Sequence, residues 1–333
     1  MSDRKRVLSG MRPTGPLHLG HLVGALENWK KLLDAYDCFF MVADWHALMS
    51  EYEHPQHLHR SVIQMVLDWV SCGVDPARAV IFRQSDVPEH LELAMILSII
   101  TPLGWVERVP TYKEQLREAE GRDLATYGFL GYPVLQAADI LLYKAHVVPV
   151  GEDQLPHLEL TREIVRRFKF LYKQDVFPEP APLMTKEAKL LGTDGRKMSK
   201  SLNNVIALSD DDAAVRRWTQ SMFTDPTRIK MSDPGHPETC NVCHYFEVFA
   251  PDAAARVHEE CRTSKRGCTQ TKKELADVLM ERVLGPIHQR RAELVRGGDA
   301  EAYVQPILAQ GAVKARAVAQ ATMAEVRRAV GLA

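Results

Sequence analysis

Short apolar runs alternate with longer amphipathic stretches in the first part of the chain. RVLSGM (6–11), CFFMVAD (38–44) and AVIFRQS (79–85) have the length and apolar content of buried strands. Between them, HLVGALENWKKLLDAY (21–36) and HRSVIQMVLDWVSCG (59–73) place apolar residues at helical spacing. This alternation predicts a parallel sheet with helices on both faces, and such sheets bind ligands at the carboxyl ends of their strands.

The middle of the chain adds one more strand to this pattern. The stretch 86–145 is mostly helical in pattern, and HVVPVGEDQ (146–154) is a strand that runs into a polar loop. An amphipathic helix follows to about Tyr172. After Ser209, where three acids mark a helix start, the pattern is helical, with one possible strand at 242–249.

The length and the change of pattern predict two domains. A chain of 333 residues exceeds one comfortable hydrophobic core. We expect an α/β domain at 1–205, with a mostly helical insertion at about 106–145, and a mainly α-helical domain at 206–333.

Composition and charge exclude several classes of protein. With 46% hydrophobic and 26% charged residues, the chain has the composition of an ordinary soluble protein. No apolar run approaches the ~20 residues of a membrane helix, and the start MSDRKRVLSG lacks the apolar core of a signal peptide. We therefore expect a cytoplasmic protein without a membrane partner. A formal net charge of -1 excludes a globally basic nucleic-acid-binding chain but allows local basic patches.

One stretch gathers positive charge where a stable helix is not expected. GTDGRKMSKSLNN (192–204) carries Lys197 and Lys200, while Gly192 and Gly195 weaken any helix. A mobile loop with clustered positive charge suits a polyphosphate that arrives, reacts and leaves. A solvated surface loop is the alternative interpretation.

A second candidate follows the first strand. GMRPTG (10–15) has two glycines of a P-loop but lacks the Lys-Ser/Thr that should follow, and no G-x-G-x-x-G occurs there. Next come His18 and His21, one helical turn apart, with Gly20 between them. Imidazoles at a helix start could donate to phosphate oxygens. A metal pair lacks a third ligand nearby, and core or capping histidines are the other alternative.

In combination, HLGH and KMSKS resemble the two signature motifs of class I aminoacyl-tRNA synthetases. VADWHAL, YPVLQAADILLY, VPVGEDQ and GTDGRKMSKS narrow the resemblance to bacterial tryptophanyl-tRNA synthetases, over essentially the whole chain. It implies a Rossmann-like catalytic domain and a helical anticodon-binding domain in a homodimer. The implied partners are L-tryptophan, ATP with Mg²⁺, and tRNA(Trp), which receives the tryptophanyl group from an adenylate.

The resemblance also implies roles for individual residues around ATP. Arg12 departs from the Gln of many bacterial members. The implied catalytic residues are His18, His21, Lys197, Ser199 and Lys200. The implied ATP contacts are Arg12, Pro13, Thr14, Gly20, His21, Gly151, Glu152, Asp153, Leu190, Lys197, Met198, Ser199, Lys200 and Ser201.

Asp139 is the informative residue for the amino acid. An indole ring has one donor and no acceptor, so a carboxylate is a suitable partner for its N–H. Ala137, Ala138, Ile140 and Leu141 beside it are all apolar, which argues against a helix-surface acid. Gln136 departs from the Met of many relatives. By resemblance the tryptophan contacts are Leu8, Tyr132, Gln136, Asp139 and Gln154, with Tyr132 and Gln154 on the α-amino group.

Four of the six cysteines form a cluster in the helical part. Cys240, Cys243, Cys261 and Cys268 have the pattern C-x2-C-x17-C-x6-C, which usually indicates thiolate binding of zinc or of an iron–sulfur cluster. A subgroup of tryptophanyl enzymes binds a [4Fe–4S] cluster, and Cys240, Cys261 and Cys268 resemble its first three ligands. Thr271 occupies the position of the fourth ligand, and Cys243 is additional. We favour the [4Fe–4S] cluster over zinc, with four unligated thiols as the third alternative.

Three other functions fit part of the pattern. A small-molecule nucleotidyltransferase of the same superfamily shares the H-x-G-H element but would not need the helical domain. A tyrosyl-tRNA synthetase shares the implied fold and an acid for the ring donor of its substrate, although KMSKS with GEDQ and QAAD favours tryptophan. A synthetase paralogue with a regulatory or binding role would differ in its chemistry. His18, His21, Lys197 and Lys200 argue that the chemistry is retained.

Overall fold

A five-stranded parallel sheet forms the centre of the α/β part. The computed structural model describes residues 4–110, 124–184, 190–199 and 202–333. The strands follow the order β3-β2-β1-β4-β5, and each neighbouring pair is parallel. Their bounds are β1 Arg6–Met11, β2 Asp37–Val42, β3 Ala79–Arg83, β4 Val147–Val150 and β5 Ala181–Met184.

The strands predicted from the apolar runs are confirmed as β1 to β4, and one strand was missed. β5 (Ala181–Met184) is a short edge strand whose side chains are mostly exposed, and it contains Pro182. Proline is tolerated on an edge strand because its missing N–H leaves no ladder bond unmade there. Because this strand is not a buried apolar run, the sequence pattern did not predict it.

The strand order places a crevice beside β1. β1 pairs with β2 along its full length, from Arg6 opposite Asp37 to Met11 opposite Val42. Its other neighbour is β4, which comes much later in the chain. The loops after β1 and β4 leave the sheet toward opposite faces at such a switch point, and the space between them is open to a ligand.

Helices cover the sheet and form the part that follows it. The segment after β1 is helical from residue 19 to residue 35 and contains a π-helical turn at Leu22–Leu26. In the described ranges the α-helices are α1 Leu19–His21, α2 Glu27–Ala35, α3 Asp44–Glu51, α4 Leu58–Ser71, α5 Glu89–Ile100, α6 Leu103–Glu107, α7 Tyr127–Leu142, α8 Leu155–Tyr172, α9 Asp212–Ser221, α10 Asn241–Phe249, α11 Pro251–Arg262, α12 Cys268–Leu279, α13 Gly285–Leu294 and α14 Ala300–Val330.

The possible strand at 242–249 was wrong, because this stretch is α10 (Asn241–Phe249). Val242, Tyr245 and Phe246 are buried, and their spacing of three and four residues is that of one helix face. A short apolar run cannot be assigned to strand or helix by periodicity alone, and here burial within the helical part selected the helix.

The last helix returns to the sheet. Residues of α14 (Ala300–Val330), among them Ala315 and Met323, share one buried cluster with Leu8 of β1 and Phe82 of β3. A Cβ atom on Gly311 would lie 1.7 Å from the backbone oxygen of Ile81, so the helix can approach β3 only through a glycine. The chain thus closes on its α/β part, and the predicted boundary near residue 205 stays a prediction.

The helical part and the sheet layer share one core. Buried residues of α9 to α12, such as Val215 and Leu275, belong to the cluster that also contains Val7 and Trp29. Ile206 lies in the same cluster. None of the helices in the described part of the chain is long and apolar enough to cross a membrane.

Gly311 provides a test of how α14 is docked. Alanine in place of glycine inside a helix normally stabilises by about 1 kcal/mol. We expect Gly311→Ala to destabilise instead, by about 1–3 kcal/mol, because the added Cβ overpacks the contact with β3. The measurement is the free energy of unfolding from urea denaturation. Gln310→Ala, one exposed position earlier, is the matched control, and stabilisation by Gly311→Ala would contradict this docking.

Candidate active site

The predicted site residues converge on the carboxyl ends of β1 and β4. β1 ends at Met11 and β4 at Val150, and the segments that follow them carry Arg12 and Gly151. These are the two strands between which the order of the sheet reverses. The open crevice of a parallel sheet lies at this point.

The two histidines of HLGH lie side by side. Their ring centroids are 3.8 Å apart, and the backbone N–H of His18 donates to Nδ1 of His21 at 3.2 Å. Because Nδ1 of His21 accepts this bond, a neutral His21 ring carries its proton on Nε2. The pair is thus held in one arrangement, with a donor at a defined atom of His21.

The loop that carries Lys197 (residues 190–204, the lysine-bearing loop) touches the segment that carries the two histidines (residues 18–21, the histidine segment). A Cβ atom on Gly20 would lie 2.8 Å from Sδ of Met198, so the two residues are in close contact. Behind the loop, the backbone N–H of Leu19 donates to the oxygen of Ile206 at 3.0 Å. The structure therefore brings together two motifs that are far apart in the sequence.

Asn204 organises the inside of this loop. Its side-chain Nδ2 donates to the backbone oxygen of Lys197 at 3.0 Å and to Oδ1 of Asp194 at 2.8 Å. Its Oδ1 accepts the backbone N–H of Ser199 at 2.8 Å. Lys197 is exposed, whereas Asn204 is 1% exposed. Lys200 lies outside the described residues, as does the neighbouring Ser201.

A cavity of about 310 Å³ opens beside the crevice. Its wall contains every residue predicted to contact the amino acid, together with Arg12. Apolar side chains such as Met41 and Phe129 complete it. The predicted residues in its wall are Leu8, Tyr132, Gln136, Asp139 and Gln154.

Asp139 is buried in this wall and is surrounded by donors. Its Oδ1 lies 2.8 Å from Nε2 of Gln84 and 2.6 Å from Nδ1 of His90, and its Oδ2 lies 2.7 Å from Nε2 of His46. Burial raises the pKa of Asp139, but the hydrogen bonds from His46 and His90 outweigh it and hold the pKa below its usual value. The carboxylate therefore stays ionised although it is 2% exposed.

The sequence analysis missed the three partners of Asp139. His46 lies on α3, which begins at Asp44, and Oδ1 of Asp44 accepts the backbone N–H of Ser85 at 2.9 Å. Gln84 directly follows β3, and His90 lies in the first turn of α5. Their common signal is a place after the carboxyl end of a strand, which could be used only once the order of the strands was known.

A buried histidine also supports the other side of the cavity. Nε2 of His157 lies 2.7 Å from the hydroxyl of Tyr132. Burial lowers the pKa of His157 to about 4, so the ring is neutral at physiological pH. The hydroxyl of Tyr132 is thus held by a neutral imidazole and not by an imidazolium.

A second cavity, of about 210 Å³, lies between β1, the helix that follows it and the end of β4. His21 and Gly151 line it, and so does Asn28, which the sequence analysis missed. Nδ2 of Asn28 is buried and has no hydrogen-bond partner in the described ranges. A donor in this position is available to a bound molecule.

The remaining predicted ATP contacts lie around the same crevice. Glu152 and Asp153 are exposed on a 3₁₀ turn after β4. Pro13 and Thr14 follow β1, and Leu190 is buried at the start of the lysine-bearing loop. These positions agree with a shared site, but no contact with a ligand tests them, so their roles stay predictions.

The structure gives no support to the metal site predicted at the cysteine cluster. Thiols of Cys240 and Cys261 both hydrogen-bond with Cys243, while Cys268 begins α12. Hydrogen bonds from Cys243 and from backbone N–H groups lower the pKa of Cys240, against the opposite effect of burial. Thr271 donates its hydroxyl to a backbone carbonyl. Within the described residues, no group of three or more His, Cys, Asp or Glu side chains is placed to hold a metal ion. The arrangement therefore gives no support to a [4Fe–4S] cluster or to zinc.

Comparisons with known proteins agree with the fold and with the family resemblance of the sequence. A family model described as tRNA synthetases class I (W and Y) matches residues 2–283. The tryptophan–tRNA ligase of Thermotoga maritima is 50% identical over 98% of this chain and 99% of that protein. The tryptophan–tRNA ligase of Ralstonia nicotianae is 41% identical over 98% of each. The crystal structure of tryptophanyl-tRNA synthetase from Campylobacter jejuni, complexed with ADP and tryptophan, has a TM-score of 0.88 and 32% identity, covering 98% of this chain and 100% of that one.

Proposed function

The chain belongs to the class I tRNA synthetases of the tryptophan and tyrosine family, and we propose from its residues how it works as a tryptophan–tRNA ligase. In the first step the carboxylate of L-tryptophan attacks the α-phosphorus of ATP, which gives tryptophanyl-adenylate and releases pyrophosphate. In the second step a terminal ribose hydroxyl of tRNA(Trp) takes the acyl group and AMP leaves. The observation that carries the proposal is the direct contact between Gly20 and Met198, which joins the two phosphate-binding motifs.

The histidine segment and the lysine-bearing loop are proposed to hold the triphosphate. Nucleotidyl transfer leaves little covalent work to a protein, so positioning and electrostatic stabilisation dominate. His21 presents a donor on Nε2, and Lys197 carries an exposed ammonium group on the loop that touches Gly20. His18, Ser199 and Lys200 are proposed to add further donors. Mg²⁺ is proposed to bind with ATP, because this ion prefers oxygen ligands such as phosphate oxygens and water.

The larger cavity is proposed to bind L-tryptophan. Asp139 is ionised, and a carboxylate has about four lone-pair directions, so its three hydrogen bonds leave room for the indole N–H. Tyr132 and Gln154 line the same cavity and are proposed to hold the α-amino group. The tyrosyl alternative is set aside because relatives at 50% and 41% identity are tryptophan–tRNA ligases over their full length.

The cysteines take no part in this mechanism. Because no group placed to hold a metal ion is found among the described residues, Cys240, Cys243, Cys261 and Cys268 included, no step is assigned to a cluster or to zinc. The part of the chain that carries them, residues 206–333, is proposed to bind the anticodon of the tRNA. Support comes from the family resemblance and from the helical architecture of α9 to α13.

A homodimer is proposed through the exposed face of α5. Leu91, Met95 and Ile99 lie four residues apart on this helix and are 40%, 62% and 71% exposed, with Leu103 beyond them. A row of large exposed apolar side chains marks a protein interface. We expect Ile99→Lys to shift the protein from dimer to monomer in sedimentation velocity. Val313→Lys, an equally exposed position on α14, is the control, and a monomeric wild type would contradict the proposal.

Lys197 gives the direct test of the phosphate chemistry. We expect Lys197→Ala to lower the rate of tryptophan-dependent pyrophosphate exchange into ATP by about 10²–10³, because one charge opposite the developing negative charge is lost. Arg196→Ala is the matched control, since this exposed neighbour pairs with Asp194 at 2.7 Å. An undiminished rate in Lys197→Ala would show that the loop does not act on phosphate.

Asp139 gives the test of amino-acid recognition. Asp139→Asn keeps the shape but removes the charged acceptor, whose hydrogen bond is worth about 1.5–3 kcal/mol. We expect kcat/KM for tryptophan to fall by about 10- to 100-fold, while the KM for ATP stays unchanged. Steady-state pyrophosphate exchange measures both. Equal losses for both substrates would indicate a general structural effect instead of indole recognition.

A further inference from the structure

Three consecutive carbonyl groups of the lysine-bearing loop are held by the helical part of the chain. The hydroxyl of Tyr245 donates to the oxygen of Leu191 at 2.7 Å, and Nδ2 of Asn241 donates to the oxygen of Gly192 at 2.8 Å. The backbone N–H of Phe223 donates to the oxygen of Thr193 at 2.6 Å. The first two donors lie on the same helix, α10, one turn apart.

The two side-chain donors, Tyr245 and Asn241, are shielded from water. Tyr245 is 0% exposed and Asn241 is 4% exposed. A buried donor that loses its acceptor keeps the full cost of its desolvation, so Tyr245 and Asn241 constrain the position of the carbonyl groups that they hold. The start of the loop is therefore held by α10.

The fixed segment is connected to the lysine through Asn204. The backbone N–H of Thr193 donates to the backbone oxygen of Asn204 at 2.8 Å. A Cβ atom on Gly192 would lie 2.4 Å from Nδ2 of Asn204, so the two residues are in close contact. The side chain of Asn204 in turn holds the backbone of Lys197 and Ser199. A continuous set of hydrogen bonds thus runs from α10 to the catalytic lysine.

We propose that Asn241 and Tyr245 are positioning residues for adenylate formation, which hold the lysine-bearing loop against the histidine segment from the helical part of the chain. The proposal rests on the function proposed for Lys197 and extends it to two residues outside the α/β part. They touch neither substrate. Their hydrogen bonds place Lys197 where pyrophosphate forms, and they leave the tryptophan cavity untouched, since neither residue lines it.

The first test is kinetic. Tyr245→Phe removes the donor and keeps the buried ring. We expect kcat of tryptophan-dependent pyrophosphate exchange to fall about five- to tenfold, the value of one buried hydrogen bond, with the KM for tryptophan unchanged. Tyr303→Phe, the same change at a partly buried tyrosine of α14, is the control and should behave as wild type. Wild-type kcat in Tyr245→Phe would overturn the proposal.

A double-mutant comparison separates positioning from a general loss of structure. If Tyr245 acts through Lys197, Tyr245→Phe should cause little further loss in a Lys197→Ala background. The same five- to tenfold loss in both backgrounds would show that Tyr245 acts elsewhere, and the proposal would fail.

Hydrogen exchange tests the anchoring without relying on activity. We expect the backbone amides of Thr193 and Ser199 to exchange faster in Tyr245→Phe and in Asn241→Asp than in the wild type, because the loop loses a constraint. Unchanged exchange at both amides would overturn the proposal. If the wild type showed no tryptophan-dependent exchange of pyrophosphate, the function proposed for Lys197 would be refuted. The amide exchange data would still test whether Asn241 and Tyr245 hold the loop.

Discussion

The contact between Gly20 and Met198 is the constraint on which the site depends. It unites an imidazole pair at the end of β1 with a loop that carries an exposed positive charge, Lys197. Backbone hydrogen bonds behind it, from Leu19 to Ile206 and from Leu208 to Leu17, hold the two segments in register. A triphosphate placed there meets donors and positive charge from both segments, which is the arrangement that stabilises charge developing on a leaving group.

The proposed recognition of the amino acid requires a buried carboxylate that stays ionised. Burial raises the pKa of Asp139, but the hydrogen bonds from His46 and His90 hold this pKa below its usual value. The donor residues lie on different elements, and the parallel pairing of β2 with β3 brings these elements together. The same sheet therefore supplies the crevice between β1 and β4, proposed for the phosphates, and the cavity beside it, proposed for the amino acid.

Much of this could be predicted from the sequence, and the exceptions have physical causes. The parallel sheet with helices on both faces followed from the alternating pattern, and family motifs placed Asp139 and Lys197. Tertiary contacts decided the rest: His46 and His90 carry no periodic signal, because only the strand order brings them to Asp139. The run at 242–249 became a helix because Val242, Tyr245 and Phe246 share a buried face. The return of α14 to β3 also left no mark in local pattern, since a glycine in a helix does not reveal what it approaches.

The most direct test of the central claim is whether His21 and Lys197 act on the same triphosphate. Single-turnover formation of tryptophanyl-adenylate in His21→Ala, in Lys197→Ala and in the double variant measures this. The account predicts losses that are not additive, with a coupling of about 0.5–3 kcal/mol. Losses that add to within about 0.5 kcal/mol would show that the two segments work independently, and would contradict a single shared phosphate site.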